Sequence, residues 1–89
     1  MLRISRVDGR STGTLLIVEG SLAGPWVGEL KAAVLALANA RGGVTLDLRA
    51  VHFADAQGTR LLLRLLKQGV LIGAMSPFVA ELMRLEPGD

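Results

Sequence analysis

The sequence predicts an α/β fold, a mixed four-stranded sheet with three helices in the order β-β-α-β-α-β-α. Three observations carry that prediction. Short apolar runs of strand length lie between glycine-marked turns. Three longer segments have helical spacing, two of them opened by proline and one by aspartate. After a first pair of strands, strand and helix alternate, the pattern of parallel strands joined by right-handed crossovers.

Each element has a local reason. Leu2, Ile4 and Val7 alternate with Arg3, Ser5 and Arg6 in a short first strand. Asp8-Gly9 opens a turn-rich connection through Gly13. Thr14–Glu19 is a second strand, hairpin partner to the first. It is apolar on both faces, as expected for a strand covered on each side. Gly20–Gly24 is a loop, and Pro25 starts a helix to about Asn39, because a first-turn proline leaves no useful N–H unpaired. Trp26, Leu30, Ala33 and Leu37 form its stripe, and Arg41-Gly42-Gly43 stops it. Val44–Leu48 is a third strand. A loop from Arg49 to Asp55 leads into a second helix, Ala56–Gln68, ended by Gly69. Val70–Met75 is the fourth strand. Ser76 caps a last helix that Pro77 opens and that runs to about Leu85, with Phe78, Leu82 and Leu85 as its apolar stripe.

The whole chain, 1–89, reads as one domain, with 86–89 a frayed tail. Apolar residues make up 51% of the sequence, and mean hydropathy is +0.46. Two outlets exist for that apolar content: a well-filled core, or a surface that meets a second copy, a partner or a ligand. A homodimer is therefore among the expected partners. No apolar stretch approaches the ~20 residues of a membrane span, and the run Leu15–Val18 is too short for a signal-peptide core. Together with the lack of cysteine, this predicts a cytoplasmic protein that does not insert into membranes. Net charge is +2. The cations are spread along the chain and only two Phe and one Trp are present, so nucleic acid is not an expected partner.

Catalytic chemistry finds no foothold. His52 is the only histidine, and no serine lies on a G-x-S-x-G elbow. With one His and no Cys, no metal site is expected. The eleven glycines form neither G-x-G-x-x-G nor a P-loop, so no cofactor is expected either. The chain reads as a non-enzyme.

The informative region is Val44–Leu66, VTLDLRAVHFADAQGTRLLLRLL. Val51 and Phe53 read as apolar anchors that plug under the sheet. Asp55 reads as the N-cap of the leucine-rich helix, its charge suited to the positive end of the dipole. Gly58, one turn in, admits another backbone or a partner at close range.

V-x-F-x-D-x-x-G-x-x-x-L-L after an L-D-L strand resembles the signature region of STAS domains. Gly20-Ser21-Leu22 is similar to the G-x-L exit of their second strand, and Leu71–Leu82 resembles their last strand and helix. The resemblance spans nearly the whole chain in order. It implies a bacterial-type regulatory module without catalysis, acting on a protein partner: an anti-sigma-type kinase, as for anti-sigma-factor antagonists, or a transporter subunit. An accessory module of a transporter, or one that binds a small molecule or lipid, is the other reading. Two departures stand out. The antagonists carry a phosphorylatable Ser or Thr directly after the motif's aspartate; here that position is Ala56, which has no hydroxyl. Ala23 replaces a frequent aspartate after G-x-L.

The expected contact surface is Asp55, Ala56, Gln57, Gly58, Arg60, Leu63 and Arg64. At ~100° per residue, Gln57, Arg60, Arg64, Lys67 and Gln68 share one arc. Leu61, Leu62, Leu65 and Leu66 face the core. Leu63, at the edge, is either tucked in or offered outward beside the arginines. Trp26, near the rim formed by the strand carboxyl ends, is either a lid on the core or an anchor for a partner.

Overall fold

In a computed structural model, residues 1–8, 13–37 and 42–85 are described. The expected order is the observed one: β1 Leu2–Asp8, β2 Thr14–Leu22, α1 Pro25–Leu35, β3 Val44–Ala54, α2 Ala56–Lys67, β4 Leu71–Met75 and α3 Pro77–Leu85. The four strands form one sheet in the spatial order β1-β2-β3-β4. β1 pairs antiparallel with β2, from Leu2 opposite Gly20 to Asp8 opposite Thr14. β2–β3 and β3–β4 are parallel. The fold is α/β with a mixed sheet, as the alternation predicts.

The two parallel connections step the same way across the sheet, from β2 to β3 and from β3 to β4. Crossovers of one hand that step one way lie on one face, so α1 and α2 share a layer. One continuous core follows: Leu16, Val18 and Leu22 of β2 and Leu46, Leu48 and Val51 of β3 pack under Leu30, Leu62 and Val79 of the three helices.

Among the described residues, the core lies on one side of the second strand only. Leu15 and Ile17 alternate with its core residues and lie outside the core cluster, half-buried. On the same side, Asp47 accepts from the Arg49 backbone N–H at 3.1 Å and from its guanidinium at 2.9 and 3.2 Å. Those bonds hold its carboxyl below the usual aspartate range, the side-chain bond contributing most.

Element lengths differ from the sequence reading where pairing overrides local pattern. Gly20–Leu22 is strand rather than loop: Gly20 pairs with Leu2 and Val51, and the Ser21 amide donates to the Met1 carbonyl at 2.9 Å. Residues 49–54 likewise belong to β3, because β2 continues beside them as far as Leu22–Ala54. The interrupted apolar alternation at Arg49 and His52 hides this strand. α1 ends at Leu35, not near Asn39. The Leu37 amide bonds back to Val34 at 3.0 Å, a tighter turn that delivers Leu37 into the core. The end of the expected helix at Asn39, the turn at 9–12 and the tail 86–89 lie outside the described residues.

Candidate binding rim and outer face of α2

The carboxyl ends of β2, β3 and β4 converge on one rim, and Asp55 is its keystone. Its Oδ1 accepts the Gly58 amide at 2.7 Å, the expected N-cap of α2. Its Oδ2 accepts the Gly24 amide at 3.0 Å, across 31 residues of chain. The Asp55 amide in turn donates to the Leu22 carbonyl at 3.2 Å. One residue thus joins the exit of β2, the start of α1 and the start of α2. The amides of Gly24 and then Gly58 hold its carboxyl below the ordinary aspartate value.

Two glycines make this closure possible. Gly24 has φ +57°, a conformation that side-chain-bearing residues adopt only with strain. Gly58 is buried against β2, where an added Cβ would collide with the Leu22 carbonyl oxygen. The close approach expected at Gly58 is therefore to the chain's own backbone. Asp55 and Gly58 are engaged within the fold. Thr59, also buried, donates its hydroxyl to the Asp55 carbonyl at 3.0 Å.

The other expected contact residues divide in two. Ala56 and Gln57 are exposed at the rim, and Arg60 and Arg64 are exposed along the outer face of α2, with Leu63 half-buried beside them. Leu61, Leu62 and Leu65 enter the core as expected, but Leu66 remains 39% exposed. Its direction, about 40° from Leu62 around the helix, points past the edge of the sheet-facing stripe. Trp26 is half-buried and packs against the core, which is the lid reading.

Phe53 differs most from expectation. Val51 is buried, but Phe53 is 48% exposed, stacked on Phe78 of α3 with ring centroids 6.2 Å apart. The cause is a register shift: Gly20 pairs with Val51 while Ser21 pairs with Phe53, which leaves His52 as an extra residue. An earlier shift, between Asp47 and Ala50, had already moved Val51 into phase with the core; the second returns β3 to the phase of Leu46 and Leu48, with Phe53 outward and Ala54 buried. Ser76 ties the same corner together, donating to the Val51 carbonyl at 2.6 Å and accepting the Val79 amide at 3.1 Å. The Phe53–Phe78 pair is the part of the rim that sequence reasoning missed. Its one signal was the broken alternation around His52.

Among the described residues, no three metal-ligating side chains cluster and no helix is long and apolar enough to cross a membrane. The rim is built of backbone, small side chains and an aromatic pair. Beside it runs a basic helix face. No protein-family model matches the chain, and no curated protein matches it in sequence.

Proposed function

We propose that this chain is a non-catalytic, cytoplasmic regulatory module of the STAS type that docks a protein partner on the rim and the outer face of α2. One observation carries the reading. The Asp55 carboxylate is turned inward onto two backbone amides, so the surface left to a partner at Ala56-Gln57 is uncharged. It is flanked by the exposed Phe53 ring on one side and by Arg60 and Arg64 on the other. Aromatic anchors and arginines are the side chains that dominate protein contacts. The partner classes are an anti-sigma-type kinase or a transporter subunit.

A small-molecule or lipid site gains nothing comparable. Three hollows among the described residues measure about 210–250 Å³, below the ~300–1,000 Å³ usual for ligand pockets. Binding of the purified chain to each candidate partner from the same genome tests the proposal. Phe53→Asp and Ala56→Glu are expected to weaken binding at least about tenfold, or ~1.4 kcal/mol, with an unchanged melting curve for Ala56→Glu and a lower one for Phe53→Asp, which loses the Phe78 stack. Full affinity in both variants would overturn it.

A further inference from the structure

α1 and α2 both connect parallel strands, so they lie side by side and point the same way. Between their amino-terminal halves runs a hollow of about 220 Å³ lined by Val27, Lys31, Gln57, Arg60, Leu61 and Arg64. Its floor is apolar: Leu61 is buried and Val27 packs against the core. Its walls carry three cations and no carboxylate. A second hollow, about 250 Å³, continues over α2 along Arg60, Leu63, Arg64 and Lys67. The ion pairs among the described residues are Arg6–Asp8, Arg49–Asp47 and Arg84–Glu81. Lys31, Arg60, Arg64 and Lys67 take part in none of them.

We infer that the α1–α2 groove receives an acidic amphipathic helix of the partner. This rests on the protein-docking reading above and names the chemistry of what docks. A helix laid in the groove sets its apolar stripe on Val27 and Leu61, the helix-in-groove mode of recognition. Arg60 and Arg64 are one turn apart on α2, so carboxylates one turn apart on the incoming helix meet both. Lys31 answers from the opposite wall. Charge complementarity selects this occupant over others. A nucleic acid strand finds no aromatic ring in the groove to stack on. A bilayer surface requires a convex apolar face, and here the apolar atoms lie at the bottom of a basic trough.

The test is a display library of helical peptides with randomised surface positions, selected on the wild-type chain and on Arg60→Glu/Arg64→Glu. Both arginines are exposed, so the variant keeps its core, and its melting curve verifies this. Peptides selected on the wild type are expected to be rich in Asp and Glu at one-turn spacing. They should bind the variant at least about tenfold more weakly and lose affinity as salt rises. Amide resonances of Val27, Lys31, Arg60 and Leu61 should shift on titration. Selected peptides without acidic enrichment, equal affinity for the variant, or shifts confined to other surfaces would overturn the inference. Stronger binding to duplex DNA or to phosphatidylglycerol vesicles than to any selected peptide would do so too. Failure here with partner binding still lost in Phe53→Asp removes the groove and leaves the rim. Success here with full partner affinity in Phe53→Asp and Ala56→Glu removes the rim reading instead.

Discussion

Asp55 shows how one side chain can look like a binding residue and act as a structural one. Its carboxylate binds the Gly24 and Gly58 amides and is held below the ordinary aspartate value. A group whose folded value is depressed stabilises the fold fully above its unfolded value, ~3.9, and loses that contribution as pH falls through the folded value. Asp55→Asn is therefore expected to melt several degrees lower at pH 7, since an amide offers one acceptor oxygen where two are used. It should also lose less stability than the wild type as pH falls below about 4. Thermal melts across that range check both points, and parallel pH profiles would remove the clamp. Next to it, Ala56 is exposed and has no hydroxyl. If the partner is the anti-sigma-type kinase proposed above, incubation with it and ATP should add no phosphate to the wild type by intact mass and one to Ala56→Ser. Thr59 is the nearest hydroxyl in α2, but it is buried and bonded to Asp55; a phosphate found there would overturn this. The cap was legible in the sequence because capping is local, an aspartate directly before a leucine-rich helix. The bond to Gly24 was not, since nothing local marks a partner 31 residues away.

At the scale of elements, α2 follows its helical periodicity closely and β3 does not follow its alternation. Leu62 is 1% exposed and Leu66 is 39% exposed, although both were expected to face the core. Leu62→Ala should cost about 2–5 kcal/mol, the loss from a filled core. Leu66→Ala should cost less than about 1 kcal/mol, since much of its surface is already in water. Equal losses in chemical denaturation would mean that α2 is rotated from the position described. Gly58→Ala tests how tightly the same helix sits on β2. Alanine gains ~1 kcal/mol of helix propensity, but its methyl meets the Leu22 carbonyl, and overpacking costs ~1–3 kcal/mol. Net destabilisation is the expected result, and a more stable variant would show that the approach is loose. β3 was read as half its length because Arg49, Ala50 and His52 interrupt the apolar pattern. Only the partner strand shows that pairing continues through them.

The molecule as a whole is a sheet with helices on one side. The order of elements and the parallel pairing were legible because strand–helix alternation and crossover handedness leave few choices. The one-sided placement of the core on β2 was not. Leu15 and Ile17 look the same in sequence whether a helix or solvent lies over them. The position of the rim depends on a further feature, the extra residue at His52. That residue works as a phase shifter. A strand repeats every two residues, so one surplus residue between Asp47 and Ala50 inverts the sides, and the one at His52 inverts them back. Phe53 turns outward, and the chain reaches Asp55 with its carboxylate beneath Gly24. The identity of His52 matters little to this, because its side chain is exposed; its presence as one unit of length matters greatly. Substitutions at 52 should change stability by no more than about 0.5 kcal/mol, while deletion of the residue should unfold the chain or abolish partner binding. A scan that compares replacements with the deletion reads this directly, and a deletion that folds and binds normally would show the phase to be set elsewhere. In a family of such chains, this position would drift freely in letter and remain fixed in count.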